Sequence, residues 1–297
     1  MFHGSLVALI TPMNVDKTID FANLERLIEW HIQEGTDGLV ILGSTGEFAT
    51  ILSKEREQII RYILQRVRGR CPVIVGAGHN NTQIAIELTR EAMELGADAA
   101  LIVTPYYNKP PQEGLYQHFT AIAKVVPLPI ILYNVPSRTG CDLLPETAIR
   151  LSRHTNIIGI KEATGKIERV HQILQATQGK MDCYSGDDNT AAEFMLAGGK
   201  GTITVAGNVV PKLMHELCSA AIIGERDKTK QLDQTLQLLF HAMGVETNPI
   251  PAKFALHEMG MIEEGIRLPL TWLNSKYHDE VRSALKGLGL VNKETVI

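Results

Sequence analysis

Lys161 is the residue whose type and position point most directly to chemistry. It closes the apolar run Ile157–Lys161, where a lysine is unusual because its ammonium is almost never buried without a partner or a task. Removal from water disfavours the charged ammonium, and a neutral amine can attack a ketone to form a Schiff base. The competing interpretation is a salt bridge to Glu162 or to another carboxylate, and position alone leaves both open.

Tyr133 and Arg138 follow the preceding apolar run, Ile130–Asn134, the first near its end and the second in a Pro-Ser-Arg-Thr-Gly loop. Schiff-base chemistry needs a group that moves protons, and a tyrosine beside an amine can do so. The alternative is a core tyrosine whose hydroxyl is satisfied. The planar guanidinium of Arg138 suits a substrate carboxylate, with a surface salt bridge as its alternative.

The turn Gly43–Glu47 carries two hydroxyls, Ser44 and Thr45, and backbone N–H groups that can bind a small carboxylate. The alternative is an ordinary turn whose glycines serve positive φ angles. Dinucleotide, Walker A and zincin patterns are each incomplete in this chain. The Asp187-Asp188 pair has no third acid at matching spacing, which favours a turn or N-cap role. We therefore predict neither a metal site nor a cofactor.

Eight apolar runs precede these polar residues, and their starts are 21 to 35 residues apart. That interval is close to the roughly 30 residues of a strand–helix–strand unit. The runs do not alternate with polar residues, as expected for parallel strands buried on both faces. They are Leu6–Thr11, Gly38–Leu42, Val73–Ala77, Ala99–Thr104, Ile130–Asn134, Ile157–Lys161, Met181–Ser185 and Thr202–Ala206.

The stretches between the runs have helical periodicity, as in Phe21–Glu34 and Thr82–Leu95, each followed closely by a glycine. After residue 225 only helical patterns remain, at Lys228–Met243, Ala252–Met259 and Ser275–Leu288. This order predicts a (β/α)8 TIM barrel over residues 1–224 with a C-terminal helical domain over 225–297. A doubly wound open sheet is the alternative, but its phosphate-binding glycines are missing after the first run. Barrel active sites lie at the carboxyl ends of strands, where the residues above fall.

Composition excludes several classes of protein. The 297 residues carry a net charge of −4, which argues against nucleic-acid binding. No run approaches about 18 apolar residues, and the N-terminus lacks the cationic segment of a signal peptide. The four cysteines form no C-x-x-C pair. We expect a cytoplasmic protein with no membrane span.

Three segments carry a resemblance to a known family: Gly43–Glu47, Tyr133–Gly140 and Ile158–Ala163. With Pro105–Pro110 and Asn248–Pro251 they resemble the 4-hydroxy-tetrahydrodipicolinate synthase (dihydrodipicolinate synthase) family over nearly the whole chain. That family lies within a wider Schiff-base pyruvate lyase/aldolase group that includes N-acetylneuraminate lyase. Arg138 in its loop is the feature more specific to the synthase.

The resemblance implies a lyase that needs no cofactor and condenses pyruvate with L-aspartate 4-semialdehyde, in diaminopimelate and L-lysine biosynthesis. Lys161 would form the Schiff base and Tyr133 would donate and accept protons. Ser44 would relay those protons to Tyr107 from a neighbouring subunit of a homotetramer, a dimer of dimers. Many members have threonine in place of Ser44, so the hydroxyl is kept here but the stiffening β-branch is lost.

The same resemblance distributes the substrate contacts. Thr45 and the main chain at Ile203 would lie at the pyruvate end, and Arg138 and Gly186 at the semialdehyde end.

The allosteric lysine site of inhibited relatives is degraded in this chain. The corresponding positions are Phe48, Ser53, Arg56 and Ile84, whereas Ala49, Asn80 and Tyr106 are retained. Ile84 offers no acceptor where relatives carry a carboxylate, and Arg56 brings a cation where they carry imidazole. We predict that free lysine inhibits weakly or not at all.

Two other functions stay open at this point. One is a Schiff-base aldolase for a sugar acid such as N-acetylneuraminate, which Arg138 disfavours because a polyhydroxy chain needs neutral partners. The other is a non-catalytic barrel that binds a small carboxylate, which the joint presence of Lys161, Tyr133 and Tyr107 disfavours.

Overall fold

The computed structural model describes residues 2–291, and its centre is a closed barrel of eight parallel strands. Consecutive strands are neighbours, and β8 pairs with β1 to close the barrel. The predicted fold class is confirmed. The strands are β1 (Gly4–Ala8), β2 (Gly38–Ile41), β3 (Val73–Gly76), β4 (Ala99–Val103), β5 (Ile130–Asn134), β6 (Ile157–Glu162), β7 (Asp182–Ser185) and β8 (Gly201–Thr204).

Helices surround the barrel and continue beyond it. They are α1 (Phe21–Gln33), α2 (Ser53–Val67), α3 (Thr82–Leu95), α4 (Gln112–Val125), α5 (Pro136–Thr139), α6 (Pro145–Leu151), α7 (Ile167–Thr177), α8 (Ala191–Leu196), α9 (Pro211–Ile222), α10 (Arg226–Ala242), α11 (Ile250–Glu258) and α12 (His278–Gly287). Short 3-10 helices cover Phe48–Thr50, Asp188–Thr190, Ala206–Asn208 and Ser275–Tyr277. Within residues 2–291, none of these helices is long and apolar enough to cross a membrane.

Strand residues form two apolar layers because successive side chains point to opposite faces. Leu6 and Ala8 lie in the cluster inside the barrel, whereas Val7 packs outward against the helices. On β5, Ile131 and Tyr133 belong to the inner cluster in the same way. Both faces of the sheet are therefore buried, which accounts for the continuous apolar runs in the sequence.

Strands β2, β3 and β4 end one residue earlier than predicted, whereas β1 and β8 end two or three residues earlier because side chains take their backbone N–H groups. The predicted run Leu6–Thr11 pairs only to Ala8, since the Ile10 N–H donates to Asn208 Oδ1 at 3.0 Å. The predicted run Thr202–Ala206 ends at Thr204.

Asp188 is the reason for the earlier end of β8. Its carboxylate accepts the N–H groups of Val205 and Ala206 at 3.0 and 2.8 Å. Its neighbour Asp187 caps the following 3-10 helix by accepting the Asn189 N–H at 3.2 Å. Asp187 therefore has the N-cap role predicted for the pair, whereas Asp188 binds the backbone that follows β8.

The C-terminal helices cover one side of the barrel. The predicted patterns at Lys228–Met243 and Ala252–Met259 correspond to α10 and α11, and Ser275–Leu288 divides into a 3-10 turn and α12. Helix α11 is buried from Ile250 to Leu256. The division of the chain between 224 and 225 stays a prediction, and residues 292–297 of the predicted extension lie outside the described residues.

Candidate active site

Lys161 and Tyr133 are direct register partners at the carboxyl ends of β6 and β5. Both are buried, and the Lys161 Nζ lies 4.3 Å from the centre of the Tyr133 ring. A lysine ammonium over an aromatic face is attracted by the ring quadrupole. Within the described residues Lys161 forms no ion pair, and Glu162 pairs with Arg169 instead. The salt-bridge interpretation of Lys161 is therefore wrong for this structure.

Gly186 provides the room in which the Lys161 side chain lies. A Cβ atom at this position would lie 2.9 Å from Cε of Lys161 and 2.6 Å from Cβ of Ala163. The Gly186 N–H donates to the Glu162 carbonyl at 2.8 Å, so the backbone after β7 is held against the end of β6. A side chain at position 186 would displace the amine.

A buried charged cluster lies behind the two strand ends. Arg169 forms two 2.7 Å hydrogen bonds to Asp142 and also contacts Glu162 at 3.5 Å. Asn134 donates to both carboxylates, at 2.9 Å to Asp142 and 3.1 Å to Glu162. The Arg169 guanidinium holds the pKa of Asp142 below its ordinary value of 3.8.

Sequence reasoning missed this cluster, although strand alternation contains a signal for it. Asn134 and Glu162 each follow an inward-facing residue and must therefore face outward. The sequence does not show which residues Asn134 and Glu162 contact on the outer face of the barrel.

The turn after β2 closes the other side of the barrel mouth. Its backbone is held by N–H bonds from Gly46 and Phe48 to the Gly43 carbonyl, at 3.1 and 3.3 Å. Thr45 is buried, and its hydroxyl oxygen accepts the Asn248 side-chain N–H at 2.9 Å. Asn248 comes from the segment before α11, so the C-terminal helices contribute to the mouth. The Asn248–Pro251 segment contributes to the family resemblance, but its sequence does not predict this contact with Thr45.

A cavity of about 320 Å³ opens over the mouth. It is lined by Ser44, Glu47, Phe48, Ala49, Thr50, Val103, Tyr106, Val135, Arg138, Thr139, Asn248, Pro269 and Leu270. A smaller cavity of about 20 Å³ continues inward between Ser44 and Tyr133. A larger groove of about 500 Å³ between α7, α8 and α10 contains none of the candidate site residues.

Arg138 lies at the rim of the larger mouth cavity, on α5, with an exposed side chain. One guanidinium N–H donates to the Asn248 carbonyl at 2.9 Å. Among residues 2–291 it has no carboxylate partner, so the surface salt bridge considered as its alternative is absent there. The remaining N–H groups are available to a ligand carboxylate.

Ile203 and Tyr107 lie at opposite extremes of exposure. Ile203 is buried on β8, where it pairs with Leu6 of β1. Tyr107 is 88% exposed, with a φ of 74° that is unusual for a residue other than glycine. Within the described residues no hydrogen bond joins the hydroxyls of Ser44, Tyr133 and Tyr107. A single chain does not assemble this relay.

Of the residues predicted to form a degraded lysine site, Phe48 and Asn80 contact the half-buried Tyr106. The Phe48 and Tyr106 ring centres are 6.4 Å apart, and Asn80 donates to the Tyr106 carbonyl at 3.2 Å. Ala49 lines the mouth cavity nearby, Ser53 begins α2, and Ile84 lies on α3.

Arg56 is not the free cation that the sequence predicted beside the lysine site. Its buried guanidinium pairs with Glu91 at 2.5 Å and donates to the Gly76 carbonyl at 2.8 Å. Burial lowers the pKa of Arg56, and Glu91 opposes that shift. The expected repulsion of a lysine ammonium by Arg56 is therefore largely offset. The Arg56 side chain is already engaged by Glu91 and Gly76 and fills space there.

Chemistry at this mouth depends on side chains that the barrel brings together. Between residues 2 and 291, no cluster of three His, Cys, Asp or Glu side chains could hold a metal ion. The arrangement offers a buried amine, an adjacent phenol, two hydroxyls on a tight turn and one exposed guanidinium. Such a set can form a Schiff base with a keto acid and hold a second carboxylate above it.

Comparisons with known proteins agree with this geometry. Residues 1–288 match the Dihydrodipicolinate synthetase family. The chain is 56% identical to the 4-hydroxy-tetrahydrodipicolinate synthase of Coxiella burnetii (strain RSA 493 / Nine Mile phase I) over 98% of this chain and 99% of that protein. It is 54% identical to the same enzyme of Nitrosococcus oceani, over 96% and 98% of the two chains. The chloride-inhibited dihydrodipicolinate synthase of Acinetobacter baumannii, complexed with pyruvate, superposes with a TM-score of 0.97 at 51% identity, over 98% and 100% of the chains.

Proposed function

The chain belongs to the dihydrodipicolinate synthetase family, and from that premise we propose that it condenses pyruvate with L-aspartate 4-semialdehyde through a Schiff base on Lys161. The product is 4-hydroxy-tetrahydrodipicolinate, in diaminopimelate and L-lysine biosynthesis, and the enzyme is a lyase. The observation that carries the proposal is the buried Lys161 amine, which lies on Tyr133 and has no carboxylate partner within the described residues.

Covalent chemistry begins when the neutral Lys161 amine attacks the keto carbon of pyruvate. Loss of water from the carbinolamine leaves an imine, and loss of a methyl proton leaves an enamine. The enamine carbon attacks the aldehyde of the semialdehyde. The amino group of that substrate then displaces Lys161 at the former keto carbon, which closes the ring and restores the free amine.

Tyr133 is proposed as the proton donor and acceptor of these steps. Its ring lies against the amine, within reach of the carbinolamine oxygen that must leave as water. Ser44 would pass protons onward to Tyr107 of a second copy of the chain. The exposure of Tyr107 supports a role outside its own subunit.

Substrate contacts follow from the two sides of the mouth. Thr45, on the tight turn, and the Ile203 main chain would hold the pyruvate carboxylate. Arg138 and Gly186 would lie at the semialdehyde end, which is supported by the exposed guanidinium at the rim of the mouth cavity.

Borohydride trapping with pyruvate tests the proposal. The reduced wild-type protein should carry one pyruvate-derived adduct on Lys161 by peptide mass spectrometry, and Lys161→Ala should carry none. Lys166→Ala, which removes an exposed lysine on the same loop, is the matched control and should keep the adduct. An adduct on another lysine would overturn the assignment.

Product formation separates this activity from the sugar-acid alternative. Pyruvate with aspartate semialdehyde should be turned over, and pyruvate with N-acetylmannosamine should not. Pyruvate binding without a covalent adduct would favour the non-catalytic barrel.

We also propose a cytoplasmic homotetramer of two tight dimers. Four free cysteines, three of them buried, support a reducing compartment. The exposed Tyr107 supports a site completed by a neighbour. Sedimentation measured alongside activity tests the assembly, and a fully active monomer would contradict it.

A further inference from the structure

Lys253 is a buried ammonium that the mechanism above does not use. It lies in the first turn of α11 and is 0% exposed. Its Nζ forms an ion pair with the Glu47 carboxylate and donates to the Gly265 carbonyl at 2.8 Å. These partners compensate the hydration that a buried ammonium loses. Burial lowers the pKa of Lys253, and Glu47 opposes that shift. The position of Lys253 is therefore tied to Glu47.

Glu47 ends the turn that carries Ser44 and Thr45. Its φ of 56° lies in the left-handed region, which is unfavourable for a residue with a side chain. Such a conformation persists only where its surroundings hold it. The Glu47 N–H donates to the Ser44 carbonyl at 3.2 Å. The Glu47 carboxylate accepts the backbone N–H of Arg267 at 3.2 Å and also pairs with Lys253.

A second tie joins the same C-terminal segment to the same turn. Asn248, just before α11, donates to the Thr45 hydroxyl oxygen at 2.9 Å. Its carbonyl accepts the Arg138 guanidinium at 2.9 Å. The segment from 248 to 253 therefore contacts the turn at Thr45 and Glu47, and the rim of the mouth at Arg138.

We infer that Lys253 is a positioning residue for pyruvate, acting through its ion pair with Glu47 to hold the turn that carries Ser44 and Thr45. This inference rests on the proposed function, which puts Thr45 at the pyruvate carboxylate. Lys253 touches no substrate itself. Small displacements of a binding group away from its productive position cost rate steeply.

Three variants test the inference by steady-state kinetics and thermal melting: Lys253→Met, Glu47→Gln and the double variant. Lys253→Met should raise the pyruvate KM by at least about fivefold, with a smaller change in the semialdehyde KM. The double variant removes both charges and should recover thermal stability, since no unpaired buried charge remains. Its pyruvate KM should stay high, because the contact between α11 and the turn is still missing. Lys212→Met, at an exposed lysine of α9, is the control and should match wild type.

Three results would overturn the inference. One is a pyruvate KM for Lys253→Met that rises by less than about fivefold. Another is a parallel rise of both Michaelis constants, and the third is a double variant that regains the wild-type pyruvate KM. If Lys253→Met does not fold, the double variant takes its place. Its pyruvate KM must then exceed that of the wild type by at least about fivefold. Wild-type protein is assayed first. An inactive wild type overturns the proposed function. An active wild type with unaffected variants overturns only the role of Lys253.

Discussion

Gly186 illustrates how a residue without a side chain shapes the site. Its place against Cε of Lys161 leaves no room for a Cβ atom. Gly186→Ala should displace the amine and slow formation of the pyruvate imine by roughly 10- to 100-fold. The rate is measured by borohydride quench at timed intervals.

Gly287→Ala is the matched control for this substitution, since a Cβ there would meet nothing within 4 Å. It should form the imine at the wild-type rate. An unchanged rate in Gly186→Ala would contradict the crowding argument.

Arg138 should determine use of the second substrate. Loss of one charge-assisted contact costs roughly 1.5 to 3 kcal/mol, or about 10- to 150-fold. Arg138→Ala should weaken kcat/KM for the semialdehyde by that factor while pyruvate imine formation continues. Arg153→Ala removes an exposed arginine away from the mouth and serves as the control. Unchanged KM and kcat for the semialdehyde would refute this role.

Among the elements, β5 and β6 show how a parallel pair positions two reactive groups. Alternation places Tyr133 and Lys161 inside the barrel and their neighbours Asn134 and Glu162 outside it. The outer pair is held by the cluster around Arg169, a side chain that is itself buried. The charged cluster fixes the ends of β5 and β6. A Schiff-base site needs its reactive groups held in position in this way.

Helices α2 and α3 carry two of the residues, Arg56 and Ile84, on which the predicted weak response to lysine rests. Ile84 offers no acceptor, Phe48 fills space beside Tyr106, and Arg56 is engaged by Glu91. Loss of two charge-assisted hydrogen bonds, at roughly 1.5 to 3 kcal/mol each, should weaken lysine binding by roughly 10²- to 10⁴-fold.

Activity measured against free lysine, with both substrates near KM, decides this point. Half-inhibition below about 1 mM, equivalent to binding near −4 kcal/mol, would overturn the prediction. Ile84→Glu restores one acceptor on α3 and should be inhibited at lower lysine concentrations than the wild type.

At the scale of the whole molecule, two buried histidines should make stability depend on pH. Burial lowers the pKa of His31 to about 3 and that of His118 to about 4, from an ordinary value of 6.5. The folded protein therefore keeps both rings neutral while the unfolded chain takes up protons below pH 6.5. Their stabilising contribution is complete above pH 6.5 and is lost as the pH falls towards 4.

The expected slope is about 1.4 kcal/mol per pH unit for each histidine within this window. Melting temperatures measured from pH 7 to pH 4.5 should fall accordingly. His118→Gln should show a shallower fall, because one of the two titrations is removed. The Asp142–Arg169 pair acts in a separate window, below pH 3.8, where the Asp142 carboxylate of the unfolded chain is protonated first. A flat wild-type profile between pH 6.5 and 4.5 would contradict the argument.

The sequence by itself determined the barrel and the first members of the site. Strands buried on both faces must be apolar throughout, so eight such runs with helical patterns between them predict the architecture. A lysine at the end of such a run is rarely buried unless it has a partner or a function. This rule identified Lys161 as a candidate, and Tyr133 at the end of the preceding run as its neighbour. Family resemblance added the substrates and the remaining roles.

Tertiary structure alone decided which distant residues meet at the mouth. Asn248 and Thr45 are 203 residues apart, and Arg169 lies 27 residues from Asp142. No periodicity links such positions, because their contact depends on how the C-terminal helices and the barrel pack in three dimensions. The early ends of β1 and β8 have the same cause, since Asn208 and Asp188 take N–H groups that local propensity assigns to strands. Lys253 and Glu47 are ordinary charged residues in the sequence, and only burial makes them a pair that the fold must satisfy.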